Sequence, residues 1–264
     1  MDFLSHAMSD GHIPHQPLPR YEVPYVLLAC VFVVMLILTN IIGVKLFYAF
    51  PQTFPSGLFG EPFTLTSGII TYPITFLCTD IVSEVYGRRR ADLMVILGFV
   101  MSFVMLALVL LVMALPGSPV WVNPSFGYHS VAEMQNAFES VMTLPGTLIF
   151  GSMLAYMVAQ LTDNRLFHFW RRVTRGKYLW VRNNGSTVIS QLVDTVIVNT
   201  IFLGFGLHLP PVVMAKIIVS NYLFKLAIAA LDTPFCYAGV YLVKRFLGVG
   251  WRQEVHAQLA AETA

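Results

Sequence analysis

Asp80 and Glu84 stand four residues apart inside the apolar run from Leu65 to Tyr86, just ahead of Arg88, Arg89 and Arg90. Carboxylates at i and i+4 share one helix face. At the centre of a bilayer a charged side chain costs about 2.5–3.5 kcal/mol on insertion scales. Two such groups are tolerated only if they face protein, water or a ligand. Tyr72, with Thr71 and Thr75, lies upstream on the same segment. A second apolar stretch carries Ser190, Gln191, Asp194, Thr195 and Asn199. Helical spacing puts Gln191, Thr195 and Asn199 in one stripe with Asp194 beside it. A third carries Lys216, Asn221, Lys225 and Asp232, of which Asn221, Lys225 and Asp232 fall on one face and look into a common cavity. These polar groups in apolar segments point to a membrane protein with a polar interior, of the transporter type.

Each has a plainer reading. Asn40, Gln160 and Gln191 can join helices by hydrogen bonds worth about 0.6–2 kcal/mol. Lys225 and Asp232 can neutralise one another with no ligand role. Asp163, Lys216 and Lys244 are expected at the membrane interface, snorkelling toward water. Arg88 to Arg90 are expected to set topology. Asp80, Glu84 and Asp194 are harder to dismiss, because the visible membrane cations are too few to neutralise every carboxylate. Pro73 and Pro234 each free a helix carbonyl, tolerated in membranes where it lines protein or a water-filled cavity.

The elements that must hold these groups follow from hydropathy. Hydrophobic residues make up 56% of the 264, charged residues only 11%, with a net charge of +2 and a mean hydropathy of +0.70. Soluble domains usually carry about 25% charged residues, and so small a net charge gives no argument for nucleic acid. Apolar segments at about 23–47, 65–86, 91–115, 144–162, 187–207 and 212–247 predict six helical spans. The last corresponds to roughly 54 Å of helix, and a break is expected at Asp232-Thr233-Pro234, with seven spans as the alternative. Lys and Arg concentrate at 88–90, at 165–182 and after 243, which places both termini and the even-numbered loops in the cytoplasm. The outer loop, Pro116 to Pro145, has neither; its Val131, Met134, Ala137, Phe138 and Val141 predict a short helix, either on the outer membrane face or extending span four.

Residues 1–20 read as a disordered cytoplasmic segment rather than a cleavable signal, residues 21–248 as the transmembrane domain, and 249–264 as a cytoplasmic tail. Three spans plus three permit an inverted repeat, weakly supported by an Asp beside a Thr in spans two and five. Cys30, Cys78 and Cys236 lie in apolar segments without a CxxC pair, and no metal site, cofactor or disulfide framework is expected. The chain has no GxGxxG, no P-loop and no GxSxG turn, so an ATP-driven motor would need a separate subunit.

The run Thr71-Tyr72-Pro73-Ile74-Thr75-Phe76-Leu77-Cys78-Thr79-Asp80-Ile81-Val82-Ser83-Glu84-Val85-Tyr86-Gly87 resembles the second span of the bacterial queuosine-precursor transporter family, once called a vitamin-uptake family. Ser190-Gln191-Leu192-Val193-Asp194-Thr195 and Asn221-Tyr222-Leu223-Phe224-Lys225 agree with it. The resemblance covers residues 23–247. It implies an inner-membrane importer of 7-cyano-7-deazaguanine and 7-aminomethyl-7-deazaguanine, bases that feed tRNA wobble modification. The residues suit that ligand. A guanine-like edge offers an N1–H and an exocyclic amine, which one carboxylate accepts together; Asn, Gln or Lys donates to its carbonyl, and an aromatic ring stacks on the base. The expected substrate-binding set is Tyr72, Asp80, Glu84, Gln191, Asp194, Asn199, Asn221, Lys225 and Asp232, with the carboxylate that meets the base left open. The expected partners are the base and membrane lipid; a homodimer is left open. Coupling is expected to be facilitated diffusion or proton-driven. A capture subunit of an ATP-driven importer, or an intramembrane enzyme, are the rival readings.

Overall fold

A computed structural model describes residues 19–43, 45–49, 64–142, 146–201, 204 and 210–248. The expectations for 1–20, beyond its last two residues, and for 249–264 fall outside the described residues. Seven α-helices are found among those described: α1 (Glu22–Ile42), α2 (Tyr72–Val85), α3 (Arg88–Met113), α4 (Val131–Met142), α5 (Gly146–Val173), α6 (Leu179–Asn199) and α7 (Pro211–Leu247). A small antiparallel ribbon, β1 (Leu46–Tyr48) with β2 (Thr64–Thr66), pairs Phe47 with Leu65. Four helical stretches are long and apolar enough to cross a membrane: Glu22–Ile42, Ser67–Val85, Arg88–Met113 and Pro211–Leu247. α5 and α6, at 28 and 21 residues, have the length but carry polar side chains along much of it.

α2 is the hub. Only 14 residues long, it packs against α1, α3, α5 and α7, and ten of its residues between Thr75 and Val85 are buried. A helix enclosed on every side cannot hide its polar groups in water, so each needs a protein partner. Thr75, Thr79 and Ser83, spaced four apart, form one polar edge. Tyr156 Oη donates to Thr75 Oγ1 (2.7 Å), Thr79 Oγ1 reaches Gln160 Oε1 (3.4 Å), and Ser83 Oγ donates to Asn164 Oδ1 (3.3 Å). Every rung joins residues 81 apart, so α2 and α5 run parallel and in register.

At its far end α2 stops abruptly. The Tyr86 and Gly87 amides both return to the Val82 carbonyl, and Gly87 takes φ 89°, a conformation glycine adopts without steric cost. α3 begins at the next residue. The apolar core joins α1, α2, α3 and α7 through Phe32, Leu36, Val82, Met94 and Cys236, and Phe167 of α5 completes it. A Cβ at Gly98 would collide with the Phe32 ring, which explains why α3 carries glycine where it crosses α1.

Three boundaries differ from expectation. α7 runs unbroken for 37 residues through Asp232, Thr233 and Pro234, where a break was expected. One proline removes a single helix hydrogen bond at a cost of about 3 kcal/mol, while packing against α2 and α6 holds both flanking turns. Asn184 Nδ2 also donates to Thr233 Oγ1 at 2.7 Å, pinning the turn before the proline. α6 begins at Leu179 rather than near 187, and α5 extends to Val173 rather than ending near 162. α4 forms the short helix expected in the outer loop; residues 143–145, which would decide its link to α5, lie outside the described residues.

Candidate substrate-binding site

α2, α6 and α7 enclose a cleft whose walls bring together Tyr72, Gln191, Lys225 and Asp232 with Pro73, Phe76, Asn183 and Thr187. Tyr72 and Phe76 are one turn apart on α2 and pack with ring centroids 5.0 Å apart; Tyr156 of α5 meets both edge-on. This fixes an aromatic wall. Lys225 Nζ lies 4.6 Å from the Tyr72 ring centroid and 2.6 Å from Asp194 Oδ2. Asp194 is thereby neutralised, while the ammonium keeps two further hydrogens to donate.

The wall also carries amide and hydroxyl groups. Gln191 Oε1 and Asn183 Oδ1 are buried acceptors without a donor, and the Tyr72 hydroxyl, which can both donate and accept, is buried beside Asp194 and Gln191. Asp232, half-buried on α7, makes no ion pair among the described residues. A buried acceptor left unmade costs about 1–3 kcal/mol, and several on one wall mark a place where a donor-rich molecule belongs. The cleft interior measures only about 20 Å³, room for roughly one water. A flat base fits it only if the aromatic wall and α7 separate.

The remaining expected site residues sit elsewhere. Asn199 and Asn221 bond to each other at 3.3 Å, one turn beyond the Asp194–Lys225 pair, and Asn199 also donates to the Thr195 carbonyl (2.7 Å). Glu84 lies at the opposite end, held by Arg182 of α6 (2.7 Å) and Lys244 of α7 (3.3 Å). Asp80 is buried against α5 and does not line the cleft.

Four functional candidates escaped the sequence reading. Asp163, expected to snorkel at the interface, is fully enclosed and accepts from Ser190 Oγ at 2.7 Å. Lys244, expected there too, instead reaches Glu84. Arg182, counted among loop cations, is buried on α6. Asn183 follows it into the cleft. A signal existed for Asp163: Tyr156, Gln160 and Asp163 recur at helical spacing, but the expected end of span four near 162 cut the stripe short.

Four lipid-length apolar helices around buried charge make this an integral membrane protein. Residues 66–239 match the family described as "Putative vitamin uptake transporter", and the chain belongs to that transporter family. It is 32% identical over 192 residues, 70% of this chain and 75% of the relative, to the "Probable queuosine precursor transporter" of Bacillus subtilis (strain 168). No solved structure matches the chain significantly.

Proposed function

We propose that this protein imports a 7-deazaguanine queuosine precursor, the cyano or the aminomethyl base, across the bacterial inner membrane. In this reading α1, α2, α3, α5, α6 and α7 are six spans with both termini cytoplasmic. Residues 21–248 form the transport domain, and lipid covers the apolar outer faces of α1 and α3. The observation that carries the substrate class is the unpaired Asp232 carboxylate across the cleft from the Lys225 ammonium and the Tyr72–Phe76 wall. We assign the N1–H and the exocyclic amine of the base to Asp232, a reading supported by the cations that Asp194 and Glu84 already hold. Gln191 and Asn183 accept from the remaining ring N–H or from the aminomethyl group. Lys225 donates to the base carbonyl, and Tyr72 and Phe76 cover its face. Adenine, with an amine where guanine has its carbonyl, would set donor against Lys225.

The relative's name supports this reading, and the parallel course of α2 and α5 agrees with both crossing in the same direction. The test is uptake of both bases by purified protein in liposomes without ATP, with guanine and adenine as competitors. Loss of a charge-assisted hydrogen bond costs about 1.5–3 kcal/mol. Asp232→Asn is therefore expected to weaken binding by roughly 10–150-fold. Unchanged affinity in a well-folded Asp232→Asn protein would remove Asp232 from the base edge, and equal competition by adenine would remove the substrate class.

A further inference from the structure

The cleft leaves the two most enclosed carboxylates of the chain unused. Asp80 on α2 is 1% exposed and Asp163 on α5 is 0% exposed, and they face each other across the α2–α5 seam between the Thr79–Gln160 and Ser83–Asn164 rungs. Ionised carboxylates are acceptors only, so two of them cannot bond to each other unless one carries a proton. The surroundings provide no other remedy. Asp80 Oδ1 and Asp163 Oδ2 have no donor among the described residues. From α6 the Ser190 hydroxyl donates to Asp163, while the nearby Ser186 and Thr187 hydroxyls donate to the Asn183 carbonyl. α7 turns Asp232 and Cys236 toward Asp80, adding negative charge or none. The cations nearby are spent: Arg182 and Lys244 on Glu84, Arg88 on Asp92, and Arg90 on Glu22. Two facing anions in so dry a place would each bear a desolvation penalty of several kcal/mol; two carboxyls sharing one proton bury a single charge instead of two.

We propose that Asp80 and Asp163 form a proton-binding site through which import is coupled to the proton gradient. The proposal rests on the import reading above. One proton enters with the base from outside and leaves to the cytoplasm: the O–H bond made at the pair breaks on release, and the base itself is unchanged. With the proton in place, α2 and α5 stay zipped along their polar rungs. Once it leaves, two buried anions repel and the helices part. The same α2 carries Tyr72 and Phe76 of the cleft wall, and the same α7 carries Asp232, so opening at the pair is transmitted to the base by two shared helices.

Two arms test this. In the first, the infrared spectrum of purified protein at neutral pH is expected to show a protonated-carboxyl band that disappears in Asp163→Asn and in Asp80→Asn. This arm needs no base, and absence of that band in the wild type overturns the proposal whatever transport shows. In the second, liposomes containing wild-type protein are loaded with 7-cyano-7-deazaguanine. Equilibrium exchange, measured without a gradient, is expected in both wild type and Asp163→Asn. Under an acidic exterior, accumulation above equilibrium is expected only in the wild type, and an uncoupler should abolish it. Exchange without uphill accumulation in the wild type, accumulation driven by sodium instead, or undiminished accumulation by Asp163→Asn would each overturn proton coupling. Absence of exchange together with an intact infrared band would instead defeat the import reading for that base and leave the shared proton supported.

Discussion

The two ends of the α6–α7 pair solve the same electrostatic problem differently. Near Tyr72, Asp194 meets one cation, Lys225, which is 18% exposed and leans over an aromatic face. At the other end Glu84 meets two, Arg182 at 4% exposure and Lys244 at 34%. The first pair joins two helices; the second joins three, α2, α6 and α7. A single pair that borders a cleft can exchange partners with a ligand, since one bond must break and the aromatic face holds the cation meanwhile. A buried three-helix node cannot yield so cheaply. The narrow cleft is therefore expected to widen from the Asp194 end while the Glu84 end holds.

The largest effect that could break this contrast is at Glu84. Glu84→Gln strands Arg182 in an enclosed site, and removing one member of such a pair costs about 3–5 kcal/mol. Thermal unfolding in detergent should show that loss, and Glu84→Gln combined with Arg182→Met should recover much of it. A single variant no less stable than Asp194→Asn would collapse the distinction between the ends. Next in size is Asp194→Asn, expected to cost about 1–3 kcal/mol, since Lys225 retains partial access to water and the Tyr72 ring. Pairing it with Lys225→Gln in a double-mutant cycle should give a loss smaller than the sum of the singles. Strict additivity would show that the two act separately.

Tyr72→Leu comes third. Removing the ring forfeits a cation–π contact of about 0.5–2 kcal/mol, together with stacking on the base, so affinity in a binding titration should fall by roughly 10-fold or more. Tyr72→Phe keeps the ring and should bind nearly as the wild type; an equal loss in both variants would move the role to the hydroxyl. The smallest effect belongs to Lys244→Gln. Its side chain is about a third exposed and the bond is long, and exposed pairs contribute about 0–1 kcal/mol. A large drop in melting temperature would show that Glu84 depends on both cations.

Much of this organisation was legible in the residues. The Tyr72-to-Gly87 segment announced a helix with intramembrane chemistry, and helical spacing predicted that Lys225 and Asp232 share a face of α7. Both do line the cleft. What escaped notice was tertiary. Asp163 was assigned to the interface and Arg182 to a cytoplasmic loop because span boundaries were drawn where hydropathy fell, at 162 and 187. Hydropathy falls there because α5 and α6 bury polar side chains against one another and against α2, not because they leave the bundle. Periodicity likewise could not say that Asn199 and Asn221 would satisfy each other while Gln191 went without. Pro234 read as a break since local propensity ignores the neighbouring helices that clamp both sides of it.

Gly87 has a consequence for how the chain enters the bilayer. With only Tyr86 and the positive-φ Gly87 between α2 and α3, the two cannot be threaded one after the other and must partition as a hairpin. Alone, α2 is a poor candidate for release from an insertion channel, since Asp80 and Glu84 each oppose transfer by about 2.5–3.5 kcal/mol. The 26 residues of α3 are almost wholly apolar beyond their first turns and are strongly drawn into lipid. During synthesis α2 would linger at the channel until α3 emerges behind it and carries both across, and the turn at residue 87 makes them one cargo.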